Sequence, residues 1–369
     1  DGNQYSTYDG SGRLSGSFQE DGTPEAAKFT NRDNRDDSYL WAKLSIGDNW
    51  QIQYHRQKWD FDTGHGWVFW APDFDEEMNE ARDIFSVKYN SNINDQWSQE
   101  YVMRYQKHDI TWNQRYYPDH AFEDYYPSGM WEYLDTQAED IFGRAQFTYL
   151  FAGDSNATFL AGVEMDRFSY DGDNAHYSNV NVDSPWFEPF PNDANTELGP
   201  WLDYIAGEPV LNTAVYAQLT TGNWIHDDFQ VTVGGRSDKL SVDYKDVYED
   251  GQPKKDKSFS KTSPRLAGVW TASETLVLKL MWGKAFRAPT PTEMAGAHTF
   301  SLASNIAELK AELITTTEFQ MDWTLNANHV VRANIYSTEF ENQIGYSTAN
   351  ANLSTNIYST KNLGYEVEF

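Results

Sequence analysis

The feature that most constrains this chain is a period of two in hydrophobicity. It recurs in stretch after stretch and is broken by connections that alternate in length. Leu276, Leu278, Leu280 and Trp282 fall on one face of an extended strand, and Val277, Lys279, Met281 and Gly283 on the other. Beyond Arg287 the prolines Pro289 and Pro291 end any ladder, because proline has no N–H to donate. After a loop, Leu313, Thr315, Thr317, Phe319, Met321, Trp323 and Leu325 alternate against Thr316, Glu318, Gln320, Asp322 and Thr324. Successive strand side chains point to opposite faces, so each strand has one greasy and one wet side.

The same reading over the whole chain predicts about fourteen strands. They lie near 12–19, 38–46, 49–58, 83–92, 97–108, 139–151, 157–170, 211–221, 228–244, 262–271, 275–286, 312–325, 329–346 and 358–369. Short connections such as Gly47-Asp48, 93–96 and 326–328 alternate with long ones near 20–37, 59–82, 109–138, 171–210, 245–261, 287–311 and 347–357. A soluble sandwich has no reason to put every long loop at one end. An up-and-down barrel in an outer membrane has one, since its turns are short on the periplasmic side and its loops long outside. A propeller would need blade-like repeats, and none is present. Most of the strands reach the roughly 9–11 residues that span a bilayer. Phe159, Ala161, Val163 and Met165, then Val215, Ala217 and Leu219, are the expected lipid-facing residues. Trp50, Trp97 and Trp323 stand beside short turns, where an interfacial girdle would lie.

Composition agrees. A mean hydropathy of -0.72 and a net charge of -28 would suit a solvated chain, but 16% aromatic residues supply surface to bury. That charge disfavours nucleic acid as a partner, because phosphates would be repelled. There is no cysteine, hence no disulfide and no thiolate metal site. No apolar run approaches a transmembrane helix, which leaves a membrane barrel untouched. Asp1 opens no signal peptide, so the chain reads as a mature or truncated piece.

Several short segments carry a family resemblance. Trp282 to Pro289 (WGKAFRAP) resembles the box that ends a strand in TonB-dependent outer-membrane receptors. Leu309 to Glu312 and Thr315 to Glu318 occupy the places of the two boxes that follow it in that family. Asn212 to Gln218, Val233 to Asp238, Ser263 to Leu266 and Asn362 to Glu368 are similar to four further strands of the family, in the same order. The match is good over 212–369, and over 1–210 only the rhythm of strands and loops matches. The prolines expected around Leu309-Lys310 are missing, as are a plug domain and a TonB box.

The resemblance implies an all-β, antiparallel up-and-down transmembrane barrel of about 22 strands, of which about 14 are present here. It implies uptake of a scarce ligand, above all an iron–siderophore chelate, driven by the TonB–ExbB–ExbD complex through the absent plug. It also implies no enzymatic step, a bacterial outer-membrane location, and lipid and lipopolysaccharide as surroundings. Phe286, Arg287, Ala288 and Pro289 would form a structural strand end at the outer rim, and Glu312 and Glu318 would be structural motif residues. Two other readings stay open: a soluble carbohydrate-active β protein, and a closed 14-stranded channel for hydrophobic solutes ending at the aromatic Phe369.

Function should lie on the long loops that a rigid scaffold presents. Residues 59–82, 109–140 and 171–209 hold 23 Asp and Glu against 2 Lys and Arg, and are rich in aromatics. Trp67, Trp70, Tyr116, Tyr117, Trp131 and Trp186 are the ring-bearing candidates for ligand stacking. So few cations favour a neutral or cationic chelate, haem, cobalamin or a glycan over a trianionic catecholate. His298 is the only histidine between Arg287 and Glu312 and is the candidate axial ligand of the haem alternative, with His65, His120 and His176 on other loops. Acidic runs at Asp33 to Asp37, Asp73 to Glu77 and Asp171 to Asn174 offer oxygens to Ca²⁺ without the full EF-hand spacing. No cofactor is required, and any iron arrives with the ligand. No nucleophile elbow, HExxH or P-loop occurs, and among 56 carboxylates chance pairing is the default.

Overall fold

The computed structural model describes residues 4–6, 28–30, 35–62, 77–117, 127, 130–153, 156–178, 197–199, 207–245, 251, 253–290, 293–294, 306–347 and 353–369. In chain order the strands are β1 (Gln4–Ser6), β2 (Lys28–Thr30), β3 (Arg35–Ile46), β4 (Trp50–Asp62), β5 (Glu77–Asn92) and β6 (Trp97–Tyr117). There follow β7 (Met130–Leu150), β8 (Thr158–Ser178), β9 (Glu197–Gly199), β10 (Val210–Thr220) and β11 (Phe229–Lys245). The series closes with β12 (Lys254–Ser273), β13 (Leu276–Arg287), β14 (Glu312–Asn326), β15 (His329–Ser347) and β16 (Leu353–Glu368).

From β3 to β16 each long strand pairs antiparallel with the next, so the order in space is the order in sequence; β9 pairs onto β8, and β1 with β2 alone. Thirteen strands in this path match thirteen of those expected, and the expected strand near 12–19 lies outside the described residues. The short connections are where the sequence puts them, and the long ones all fall at the other end.

The strands outrun the expectation at their long-loop ends. β6, β7 and β8 are each 21 residues, about twice what a bilayer requires. Residues 109–117, 130–138 and 171–178, read as loop from the sequence, are paired strand. Where one face no longer meets lipid, nothing demands alternation, so the period of two fades while the backbone ladder continues to satisfy its own hydrogen bonds.

The register aligns the apolar residues into continuous rows. One row runs Trp97, Tyr149, Phe159, Leu219, Val233, Leu266, Trp282. It begins on the first residue of β6 and reaches the seventh of β13, a climb that expresses strand tilt and shear. Residues read as lipid-facing meet directly across strands on this face, in the pairs Val163–Val215, Ala161–Ala217 and Phe159–Leu219. Exposed apolar side chains crowd it, among them Met103 at 60% and Val215 at 57%. A soluble protein would hide such a band, whereas lipid covers it at no cost. Beside the short turns, aromatic rings interlock: Trp50 on Tyr89 at 4.6 Å, Trp97 on Tyr149 at 4.7 Å, and Phe151 on Trp224 at 4.5 Å. Aromatic rings of this kind suit a membrane–water interface.

Candidate functional site

The opposite face is polar and internally paired. Glu100 lies between Lys88 and Arg144, each at 2.5 Å. Arg236 holds Glu164 and, at 2.8 Å, Asp238. Arg104 meets Asp140 at 3.0 Å, Lys279 meets Asp322 at 2.7 Å, and the Tyr216 hydroxyl donates to Gln146 at 3.1 Å. The partners sit two residues along, on a neighbouring strand or, for Arg236–Glu164 and Tyr216–Gln146, one strand further, because alternation puts all of them on one side of the sheet. Such a wall suits a wet or plugged interior.

Tyr216 lies flat against this wall because its cross-strand partner is Gly162. A Cβ added at Gly162 would stand 2.4 Å from the Tyr216 hydroxyl and 2.8 Å from the Ala145 carbonyl oxygen. The tyrosine can swing away but the carbonyl cannot. Gly162→Ala is therefore expected to cost about 1–2 kcal/mol, read from urea unfolding in detergent micelles, with Gly143→Ala, whose Cβ meets nothing within 4 Å, as the silent control.

Towards the long-connection ends the same face turns apolar. Tyr170, Val210, Val242, Tyr244 and Phe259 are buried there, with Phe168 and Leu240 packed beside them. The connection between β13 and β14 covers them, contributing Met294, Ile306, Leu309 and Ala311, each no more than 2% exposed. The sequence reading treats 287–311 as a plain loop, so this docked segment is the main finding it misses. The signal was present, in apolar residues inside a loop and in Thr290 followed three residues later by Glu293.

Those two residues form a reciprocal cap. The Thr290 amide donates to the Glu293 carboxylate at 2.7 Å and the Glu293 amide to the Thr290 hydroxyl at 3.3 Å. The cap is locked by Arg287, whose guanidinium makes two bonds to Glu293, at 2.8 and 2.9 Å, and one to Glu312 at 2.6 Å. Burial pushes the Glu293 carboxyl up, but Arg287 and the Thr290 amide pull it down further, to below its ordinary value. The far end of the segment is tied to β16: Asn356 accepts from the Lys310 amide at 2.8 Å and donates to the Lys310 carbonyl at 3.0 Å. Lys257 on β12 donates to the Ala307 carbonyl at 2.5 Å.

Arg287 and Glu312 are cross-strand partners at the end of β13, Phe286 packs against the apolar cluster, Ala288 is half-buried and Pro289 buried. Glu318 sits on the polar face opposite Met281 and Tyr336. Of the ring-bearing candidates, Trp67, Trp70 and Trp186 lie outside the described residues, as does His298. Tyr116 and Tyr117 belong to the backbone of β6 and Trp131 to that of β7, so they are strand residues and not loop residues. Among the described residues no group of three or more His, Asp or Glu is arranged to hold a metal ion. Asp33 and residues 73–76 of the acidic runs lie outside them, Asp37 is engaged by Arg35 at 2.6 Å, and residues 171–174 are part of β8.

A paired polar wall, an apolar band on the other face and a docked connection at the rim are the features of a scaffold. The chain shares this fold with known transporters. Over 92% of its length it superposes on 51% of the copper transporter OprC, with TM-score 0.64 and 14% identity. It covers 55% of the siderophore receptor PiuA from Acinetobacter baumannii (TM-score 0.62, 13% identity, 92% of this chain). It covers 48% of the ferric yersiniabactin uptake receptor FyuA from Yersinia pestis (TM-score 0.57, 13% identity, 90% of this chain). The chain thus spans about half the length of these proteins. No match was found among curated proteins. The model of the family described as TonB dependent receptor-like, beta-barrel, matches residues 1–369, the whole of the chain. With that match and the ordered strand boxes around Arg287, the chain belongs to the β-barrel of the TonB-dependent receptor family.

Proposed function

We propose that this chain forms part of the barrel wall of an outer-membrane receptor that takes up an iron–siderophore chelate. The observation that carries the reading is the two-faced sheet: lipid-compatible rows on one side, a polar wall laced with ion pairs on the other. Such a wall faces an aqueous or plugged lumen and does no bond chemistry. Uptake against a gradient requires energy, which the TonB–ExbB–ExbD complex would deliver through a plug domain. The aromatic, acidic outer segments carrying Trp67, Trp70, Tyr116, Tyr117, Trp131 and Trp186 would contact the ligand, and their charge favours a neutral or cationic chelate.

The test is a clean deletion of the whole gene in its host, followed by uptake of radiolabelled ferric iron. Iron is supplied as a neutral hydroxamate chelate or as a trianionic catecholate. Loss of hydroxamate uptake, restored by the gene and abolished by a protonophore, is the expected result. Unchanged uptake of both chelates overturns the iron reading. Loss confined to the catecholate overturns the charge argument.

A further inference from the structure

The apolar face of the sheet is not a uniform surface. On β7 the two outward residues at mid-band are Gly143 and Ala145, while their neighbours on both sides are large. Register sets Met103, Gly143 and Met165 in one row, and Tyr101, Ala145 and Val163 in the next. The result is a groove of about 700 Å³ with glycine and alanine on its floor, lined by these four side chains and continuing past Tyr101 to Val87, Tyr89 and Trp50. Met103, Val163 and Met165 are 60%, 52% and 47% exposed. The floor runs about 7 Å along the strand. Phe147 stands at its short-turn end, and Ile141 at its long-connection end.

Beyond Ile141 the face becomes charged. Arg56, Asp83, Lys107 and Glu139 follow one another across β4 to β7, in a row of alternating sign. The row neutralises itself. Lys107 meets Asp109 at 2.9 Å, Arg56 approaches Asp83 at 4.0 Å, Tyr54 donates to Asp83 and Tyr105 donates to Glu139 at 2.7 Å. Arg167 is different. It is the cross-strand partner of Ile141 at the head of the groove, it is exposed, and no carboxylate among the described residues engages it. An open apolar groove with an uncommitted guanidinium beside its outer end matches a lipid that has its phosphate on the long-loop side.

We propose that this groove is a specific seat for one outer-leaflet lipid, a phosphorylated glycolipid of the lipopolysaccharide type. One acyl chain lies over Gly143 and Ala145, and a phosphate meets Arg167. The outer-leaflet assignment follows from the side on which the long connections lie, and so rests on the outer-membrane reading above.

The experiment is native mass spectrometry of the whole gene product, purified from its own outer membrane in mild detergent. The expected spectrum shows one retained lipopolysaccharide. Gly143→Leu fills the floor and has room to fold, because a Cβ there meets nothing within 4 Å. It should reduce that occupancy about tenfold, from lost acyl contact. Arg167→Gln should lower it several-fold and remove its dependence on salt. Unchanged unfolding in urea shows that each variant still folds. Equal occupancy in wild type and Gly143→Leu overturns the site. A retained glycerophospholipid in place of the glycolipid overturns the occupant. A product absent from the outer-membrane fraction overturns the membrane reading itself, a result distinct from either.

Discussion

Leu309→Ala is expected to weaken docking of the β13–β14 connection by about 3 kcal/mol. Leu309 is 1% exposed and sits in one cluster with Met294, Ile306 and Ala311 from its own segment and with Val242, Tyr244 and Phe259 from the sheet. Removing its isobutyl group takes away both the transfer free energy of the buried methyls and the contacts of every atom that lined them. Collapse of the cavity is opposed because the opposite bank is a hydrogen-bonded sheet, which does not move to meet a shortened side chain. The loss should be local, since β11, β12 and their ladder do not depend on Leu309. Hydrogen exchange checks this: amides of 306–311 should exchange about a hundredfold faster, as about 3 kcal/mol implies, while those of β11 stay as in wild type. Uniform acceleration through the sheet, or none at 306–311, would refute the assignment.

Arg287→Ala should cost about 2–3 kcal/mol at the same rim, since a charged hydrogen-bonding hub is worth about that much. The effect comes less from the lost contacts than from what remains. Glu293 and Glu312, at 16% and 19% side-chain exposure, would face each other without a cation. Glu312 also accepts from the Ile344 amide at 2.8 Å, so the hub links β13, β14, β15 and the capped turn. Arg287→Lys should rescue only part of the loss, because an ammonium cannot reproduce three directed bonds to two carboxylates. Limited proteolysis between residues 288 and 311 reads the outcome, with cleavage expected in Arg287→Ala at protease levels that leave wild type intact. The same lock has a pH dependence with a definite sign. Glu293 titrates below its ordinary value when folded. Its contribution is therefore complete above the unfolded value of about 4.5, and is lost as pH falls through the lower folded value. Protease resistance of the segment should fail on acidification from that region downward, and Glu293→Gln should flatten the dependence.

Alternation made the strands legible. Wherever one face meets lipid and the other water, as in Phe159 to Met165 or Leu276 to Trp282, the period of two is forced by solvent. The partners could also be read, because short and long connections leave an up-and-down order as the simplest one. The motif around Arg287 revealed its rim position through its prolines, whose missing N–H ends a ladder whatever the surroundings. The candidate ligand residues were less legible. A tryptophan or histidine in a polar loop, such as Trp67 or His298, has no periodic neighbour to fix its direction.

What local chemistry could not contain was set by contacts distant in sequence. Residues 109–117 and 130–138 look like loop because they lack alternation, yet they pair, since a ladder begun in the membrane continues for as long as each new hydrogen bond satisfies two backbone groups. Met294, Ile306 and Leu309 look like stray apolar residues until β8, β10, β11 and β12 place Tyr170, Val210, Val242 and Phe259 opposite them. The groove over Gly143 and Ala145 exists only because register sets Met103 and Tyr101 on one side and Met165 and Val163 on the other. Each strand's two faces follow from its own residues. Which side chains meet across strands depends on register, and register is a property of the assembled sheet.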